Sequence, residues 1–316
     1  MFVMDKSNSE RNTVISSPQE HAPDKIAFKI EAFIRDSVRR FNKDGVIIGL
    51  SGGVDSSVVA FLSVKALGKG RVFGLIMPER ESTPENIKDA EEIANSCEIK
   101  YEKIDLTPFL EEFGLYKLVP QGISRSKLVL TKGLEAFRRM RGVRMVHSLG
   151  ILGVTMPDKL SRRVTAIMLP KLRMRSLILY YHAALGNLLV AGTTNKTEYL
   201  LGHYDKYGDG ACDIEPIRGL YKTEVKRVAK YLGVPGKIIN KPPTHDLFAG
   251  SILTDEAMMG MSFEDVDLIL EKLEKKEGEE EIARELGIEI GLIREVERAI
   301  ENQRLNREMP LSPSLD

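Results

Sequence analysis

Apolar residues along this chain alternate between short continuous runs and helically spaced positions, which predicts buried strands connected by helices. The runs Val46–Leu50, Val72–Met77 and Leu188–Gly192 are typical of strands buried on both faces, and Lys100–Asp105 is predicted as a further strand. The predicted helices are Ile26–Arg40, one that starts near Ser56, Pro84–Cys97 with Thr83 as its N-cap, Pro108–Val119, Leu172–Leu185 and Tyr221–Leu232. This order predicts an α/β fold with a parallel sheet.

Polar composition and helical periodicity divide the chain further. Residues 1–24 are polar and carry two prolines, which predicts a disordered tail. Residues 25–316 are predicted to form a single α/β domain with a basic insertion of uncertain form at about 120–168. The part from about 255 onward is predicted to be helical, with helices at Phe263–Lys276, Glu279–Leu286 and Ile290–Arg304.

Formal net charge is zero, but its distribution is uneven. Residues 124–175 carry thirteen lysines and arginines against two acids, whereas 255–301 carry sixteen acids against six basic residues. We therefore predict that the two segments contact each other near the mouth of the substrate site. Nucleic-acid binding is the alternative for the basic segment, and we do not expect it because Phe137 is the one aromatic residue among these charges, too few for a series of stacking contacts.

The two cysteines, Cys97 and Cys212, form no metal-binding pattern and are expected to be reduced thiols. No apolar run approaches the roughly 18–20 residues needed to cross a bilayer. We therefore expect a cytoplasmic protein without a membrane partner.

The segment from Val46 to Ala60 predicts a buried strand that turns directly into a helix. Between them lie Ser51, Gly52 and Gly53, so the backbone can approach a ligand closely. The helix start directs N–H groups toward the same point. We interpret this turn as a cradle for phosphate groups, and the alternative is an ordinary strand-to-helix turn.

Two carboxylates are predicted to face this cradle. Asp55 stands where a Walker A loop would carry lysine, and a carboxylate beside phosphates requires a bridging cation, so Asp55 is a predicted Mg²⁺ ligand. Ligands of open parallel sheets bind beyond the carboxyl ends of the strands, so Thr193 and Glu198 are expected in the same crevice. Glu198 is then the second predicted Mg²⁺ ligand. The alternative for both acids is an ordinary helix-start residue favoured by the helix dipole.

The run Ser51-Gly-Gly-Val-Asp-Ser-Ser57 resembles the pyrophosphatase loop of enzymes that cleave ATP between its α and β phosphates. With it occur Ala-Gly-Thr-Thr-Asn-Lys-Thr-Glu at 191–198, Tyr-Gly-Asp-Gly at 207–210, Gly-Leu-Tyr-Lys at 219–222 and Lys-Pro-Pro-Thr-His-Asp-Leu at 241–247. In this combination and order, the chain resembles NAD synthetases from about Ile26 to Pro310, except in the insertion.

This resemblance implies an open, doubly wound parallel sheet of the adenine-nucleotide alpha-hydrolase-like (PP-loop) type, with C-terminal helices. It also implies amidation of the nicotinate carboxylate of deamido-NAD to give NAD, through an acyl-adenylate. ATP is the implied co-substrate, Mg²⁺ the metal, ammonia the nitrogen donor, and a homodimer the assembly. No segment resembles a glutaminase, so ammonia is expected from solution or from a partner.

The same resemblance assigns roles to individual residues. Asp55, Lys222 and Asp209 are the implied catalytic residues, with Asp209 near the incoming ammonia. The implied ATP contacts are Gly49, Ser51, Gly52, Gly53, Asp55, Ser56, Ser57, Met77, Arg173, Thr193, Lys222 and Thr244, and the implied substrate contacts are Lys206, Asp209 and Asp213. A solvated lysine at 222 and a turn aspartate at 209 are the alternatives, and His245 is interpreted as structural.

Several positions depart from the family pattern. Leu169, Ser176 and Met258 replace an expected Asn, Met and Glu, and Leu305-Asn306 replaces His-Lys. These positions are expected on the substrate side, so the acid substrate stays open. The alternatives are a paralogue that adenylates and amidates or ligates another carboxylate, and a nucleotide- or RNA-binding protein that retains the ATP loop.

Overall fold

The computed structural model describes residues 22–118, 159–242, 254–308 and 313. Its centre is a four-stranded parallel sheet with the order β3-β2-β1-β4. The strands are β1 Gly45–Gly49, β2 Val72–Ile76, β3 Lys100–Lys103 and β4 Leu188–Val190. All four predicted strands are confirmed, with ends that differ by one or two residues. The strand order reverses between β1 and β4, which opens a crevice at their carboxyl ends.

The helices flank this sheet and extend beyond it. The first eight are α1 Pro23–Arg40, α2 Val54–Leu67, α3 Pro84–Ser96, α4 Thr107–Glu112, α5 Lys159–Gly186, α6 Lys196–Leu201, α7 Lys222–Leu232 and α8 Gly236–Ile239. The C-terminal helices are α9 Asp255–Met259, α10 Phe263–Glu274, α11 Glu279–Leu286, α12 Ile290–Asn302 and α13 Arg304–Arg307. Short 3₁₀ turns cover Lys69–Arg71 and Leu115–Leu118.

Helix α5 begins thirteen residues before the predicted start at Leu172, so residues 159–168 of the predicted insertion are helical. Pro170 lies inside this helix, where it removes one backbone hydrogen bond. Ile167 and Met168 are buried, and Ile167 packs in the core beneath the sheet. Burial of this apolar turn against the sheet therefore stabilises the helix on the N-terminal side of the proline. The rest of the insertion, and its predicted contact with the acidic C-terminal segment, lie outside the described residues.

Two hydrophobic layers cover the two faces of the sheet. On one face α1, α2, α3 and α7 pack on strand residues such as Val46 and Ile48, and on the other α4 and α5 pack on Ile47 and Leu75. Alternate residues of β1 thus enter opposite cores, as a strand buried on both faces requires. The structure confirms the doubly wound α/β class.

The C-terminal helices have a core of their own. Phe263, Val266 and Ile293 are fully buried there, and Leu201 of α6 and Tyr221 before α7 join the same cluster. The C-terminal bundle therefore packs directly against α6 and against the start of α7, which come after β4 in the chain. None of the described helices is both long enough and apolar enough to cross a membrane.

Candidate active site

The turn between β1 and α2 is held in shape by serine hydroxyls. Gly52 has a φ of +75°, and a Cβ there would lie 2.4 Å from the Asn86 carbonyl oxygen, so only glycine fits. The Ser51 hydroxyl accepts the Gly53 N–H at 3.2 Å and lies 3.1 Å from the Ser56 hydroxyl. These contacts therefore fix the backbone of the turn at the start of α2, where the sequence predicted a phosphate cradle.

Lys222 joins the two predicted metal ligands. Its Nζ donates to Asp55 Oδ2 at 2.5 Å and to Glu198 Oε1 at 3.3 Å, and the lysine is 2% exposed. Asp55 follows β1, Glu198 follows β4, and Lys222 begins α7. The fold therefore brings together three charged groups that lie up to 167 positions apart in the chain.

Polar contacts of Asn195 fix both carboxylates. Its side-chain oxygen accepts the Glu198 N–H at 3.0 Å, while Glu198 Oε2 accepts the Asn195 N–H at 3.2 Å, forming a capping box at the start of α6. The Asn195 Nδ2 also donates to Asp55 Oδ1 at 3.0 Å. Asn195 therefore sets the distance between the two acids.

A buried carboxylate of the C-terminal bundle secures the same region. Asp267 of α10 accepts the Thr197 hydroxyl at 2.5 Å and the Thr223 N–H at 2.8 Å. The Thr197 hydroxyl oxygen in turn accepts the Lys222 N–H at 3.0 Å. Asp267 thus fastens α6 and α7, which carry Glu198 and Lys222, to the bundle.

The shared burial of this cluster changes its proton affinities. Burial acts to lower the pKa of Lys222, but the negative charges of Asp55 and Glu198 outweigh it and raise that pKa. Burial raises the pKa of Glu198 to about 7, with Lys222 opposing the shift and Asp55 adding to it. Lys222 is therefore a permanent cation.

A cavity of about 310 Å³ opens above this cluster at the crevice between β1 and β4. The predicted site residues that line it are Gly49, Ser51, Gly52, Gly53, Asp55, Ser56, Met77, Thr193, Glu198, Asp209 and Lys222. The carboxyl ends of the strands thus meet at one pocket, as the sequence predicted.

Four other predicted residues in the described part of the chain, Ser57, Asp213, Lys206 and Arg173, are not among those that line the cavity. Ser57 lies behind the cradle, where its hydroxyl donates to the Gly53 carbonyl at 2.7 Å. Asp213 supports the sheet, accepting the Val190 N–H at 2.8 Å and the Tyr180 hydroxyl at 3.2 Å. Lys206 donates to the carbonyl of Glu308. Thr244 lies outside the described residues.

Arg173, the fourth of these, is paired with a turn rather than directed into the cavity. Its guanidinium contacts the two carboxylate oxygens of Asp205 at 2.8 and 3.2 Å. The Asp205 N–H donates to Asp209 Oδ1 at 2.7 Å, and the Ser176 hydroxyl donates to the Gly208 carbonyl. Helix α5 therefore holds the 205–210 turn that presents Asp209 to the cavity.

A second buried carboxylate lies next to this turn. Glu215 Oε1 accepts the Cys212 thiol at 3.2 Å, and Oε2 is buried without a hydrogen-bond partner among the described residues. Burial raises the pKa of Glu215 to about 7; the Cys212 thiol and Arg218 oppose the shift, and Asp209 adds to it. A Cβ on cavity-lining Gly192 would lie 2.9 Å from the Glu215 carboxyl carbon.

Several cavity residues were missed by sequence reasoning. They are Arg175, Lys226, Lys241 and Asp255, and Asn195 was missed as the residue that holds Asp55. Lys226 had a usable signal, because it follows Lys222 by four positions on one helix and so shares its face. Asn195 and Lys241 lie inside the motifs at 191–198 and 241–247, which identified those segments but not these contacts. Arg175 and Asp255 reach the cavity through the packing of distant segments, which no local pattern encodes.

The two carboxylates fit a magnesium ion by their chemistry. Mg²⁺ in nucleotide sites is bound by one or two carboxylates together with substrate phosphates and water. Asp55 and Glu198 already converge on a single cation, the Lys222 ammonium, beside the cradle. Within the described residues no cluster of three or more candidate metal ligands occurs, so the set matches a substrate-bridging ion better than a closed protein cage.

The comparisons with known proteins agree on one family. The NAD synthase family model matches residues 26–151 and 158–310. An NH(3)-dependent NAD(+) synthetase from Methanocaldococcus jannaschii is 39% identical over 292 residues, covering 92% of this chain and 97% of that protein. The structure of NMN synthetase from Francisella tularensis aligns with a TM-score of 0.69 and 25% identity over 94% of this chain and 100% of that one. An NH3-dependent NAD synthetase from Campylobacter jejuni aligns with a TM-score of 0.63 and 27% identity, covering 93% and 100% of the two chains.

Proposed function

This chain belongs to the NAD synthase family, and we propose that its cavity converts deamido-NAD, ammonia and ATP into NAD, AMP and pyrophosphate through an acyl-adenylate. The reaction is an ATP-dependent ligation that forms a carbon–nitrogen bond. The observation that carries the proposal is the convergence of Asp55, Glu198 and Lys222 beside the glycine cradle of Ser51–Gly53.

Each group in this cluster has a task in the first step. The substrate carboxylate attacks the α-phosphorus of ATP, and the bond to the leaving pyrophosphate breaks. Lys222, kept protonated by its two acids, and the N–H groups at the start of α2 stabilise the negative charge on the departing oxygen. Asp55 and Glu198 would hold Mg²⁺, which supplies charge neutralisation between the carboxylates and the phosphates.

Asp209 serves the second step at the other end of the cavity. Ammonia attacks the acyl carbon of the adenylate and AMP leaves, so the attacking nitrogen must lose a proton. Asp209 lines the cavity, and one of its oxygens is fixed by the Asp205 N–H. Its carboxylate therefore orients the incoming nitrogen and accepts the proton.

The second candidate for the acid substrate is nicotinate mononucleotide, which carries the same carboxylate without the adenylate half. The Francisella tularensis NMN synthetase has a higher TM-score with this chain than the Campylobacter jejuni NAD synthetase, 0.69 against 0.63. The substrate-side departures from the family pattern, such as Leu169 and Ser176, favour the same test. Relative kcat/KM for the two acids decides between them.

We also propose a homodimer formed through α5, in the cytoplasm. Leu177, Tyr181 and Leu185 follow one another at four-residue spacing on this helix and are 61–70% exposed. A second copy would bury this stripe, as self-complementary interfaces do. Light scattering should give twice the chain mass, and Leu185→Lys should halve it.

The free thiols of Cys97 and Cys212 support the proposed location in the cytoplasm, because disulfides are rare in that compartment.

A product assay tests the reaction. The purified chain is mixed with ATP, Mg²⁺ and ammonium, and with either deamido-NAD or nicotinate mononucleotide. We expect AMP and pyrophosphate in equal amounts, together with the amidated product. Glutamine in place of ammonium should give no product, because no glutaminase segment was recognised. ATP cleavage without amidation of either acid would contradict the proposal.

A further inference from the structure

We call the part of the cavity beside Ser51–Gly53 and Lys222 the phosphate end. Its charged cluster has little positive charge of its own. Asp55, Glu198 and Lys222 together carry one net negative charge when both acids are ionised. The triphosphate of ATP keeps a net negative charge even with one divalent cation bound. Additional cations are therefore needed to hold the terminal phosphates and the pyrophosphate that forms from them.

Among the described residues, three cationic side chains besides Lys222 line this cavity: Arg175, Lys226 and Lys241. Lys241 donates to the buried Asp89 at 2.6 Å, and Asp89 also binds Lys237 at 2.9 Å, so Lys241 is part of the framework beneath the cradle. Arg175 lies on α5 and donates to the Lys171 carbonyl at 3.2 Å. Neither of them shares a helix with Lys222.

Lys226 differs from these two residues because it shares a helix with Lys222 and because its ion pair is weak. It lies four residues after Lys222 on α7, so the two side chains share one helix face. Its ion pair with Glu264 is long, at 3.5 Å, and the Glu264 side chain is 58% exposed at the start of α10. Exposed pairs of this kind contribute little free energy, because water screens the two charges. The Lys226 ammonium can therefore exchange this partner for a phosphate at small cost.

We propose that Lys226 is a pyrophosphate-binding residue: it contacts the terminal phosphate of ATP, stays bound to the pyrophosphate after cleavage, and returns to Glu264 when the product leaves. The inference rests on the proposed function, which makes pyrophosphate a product. It assigns successive positions on one helix face to the two halves of the leaving group. Lys222 holds the phosphate next to the broken bond, and Lys226 holds the outer one.

Calorimetric titration with pyrophosphate and Mg²⁺ tests this without turnover. Lys226→Met should weaken binding about tenfold, the loss expected for one charge-assisted hydrogen bond. Glu264→Gln should strengthen binding by about two- to fivefold, because it removes the competing carboxylate of a weak exposed pair. Lys230→Met, one turn further along the same helix and exposed, is the matched control and should bind as the wild type does.

The enzyme assay then separates this inference from the proposed function. With active enzyme, Lys226→Met should raise the KM for ATP and the inhibition constant of pyrophosphate, and leave the KM for ammonium unchanged. If Lys226→Met binds pyrophosphate as tightly as Lys230→Met, or Glu264→Gln binds it more weakly than the wild type, Lys226 is not a ligand. Failure of the wild type to amidate either acid, with the calorimetric pattern intact, overturns only the proposed reaction.

Discussion

Charged side chains have different partners at the two ends of the cavity. At the phosphate end they contact one another. At the 205–210 turn they contact the loop that includes Asp209. Lys222 contacts Asp55 and Glu198 directly, and all three line the pocket. Arg173 instead contacts Asp205, and Asp205 contacts Asp209. The difference indicates that the charged groups beside the cradle face the cavity, whereas Arg173 and Asp205 stabilise the loop that carries Asp209.

The largest expected effect comes from substituting Asp55 at the phosphate end of the cavity. Asp55→Asn keeps the side-chain volume but removes a metal-binding charge and one of the two anions around Lys222. We expect kcat/KM to fall by about 10³-fold, with an unchanged circular dichroism spectrum. Asp36→Asn, at an exposed position of α1, is the control for a lost surface charge. Near-normal activity of Asp55→Asn would remove this residue from the mechanism.

Varying the Mg²⁺ concentration tests whether Glu198 is a metal ligand. Glu198→Gln should lower activity, and raised Mg²⁺ should restore part of it if the residue is a ligand. Asp55→Asn and Glu198→Gln should then respond alike to added metal. If neither variant responds, the two carboxylates position Lys222 and do not bind the ion.

At the turn end, Glu215→Gln should change stability with pH. The folded protein favours the neutral form of this carboxyl, since burial raises its pKa from 4.5 to about 7. That contribution is fully present below pH 4.5 and is lost as the pH rises through 7. The variant is neutral at every pH, so its unfolding free energy should exceed that of the wild type by a margin growing to on the order of 1–3 kcal/mol. Denaturant titrations at pH 4.5 and 7.5 measure the margin, and equal margins would contradict it.

The smallest effect is expected for Arg173→Met. Loss of the Asp205 pair should loosen the turn and raise the KM for ammonium about tenfold, the cost of a charge-assisted bidentate contact, while the KM for ATP stays constant. Asp205→Asn should behave similarly, and the double variant should be little worse than either single one. A parallel rise in the KM for ATP would restore Arg173 to the ATP contacts that the sequence predicted.

These contrasts also mark what the sequence could predict. The cradle is a continuous run whose turn is determined by Gly52 and its neighbouring serines, so local reasoning located it and the strands around it. The partner of Arg173 could not be predicted, because Asp205 lies 32 residues away on a turn whose placement depends on α5 packing. The start of α5 was also wrong, since local signals around Pro170 do not include the burial of Ile167.

The contacts of Asp267 couple the cavity to the distant C-terminal bundle. Its carboxylate accepts hydrogen bonds from α6 and α7, the helices that carry Glu198 and Lys222. A ligand that orders those two residues must, by thermodynamic linkage, also stabilise the bundle. Amides of α10 at Phe263–Glu274 should then exchange with deuterium more slowly when nucleotide is bound, although the helix core is remote from the phosphates.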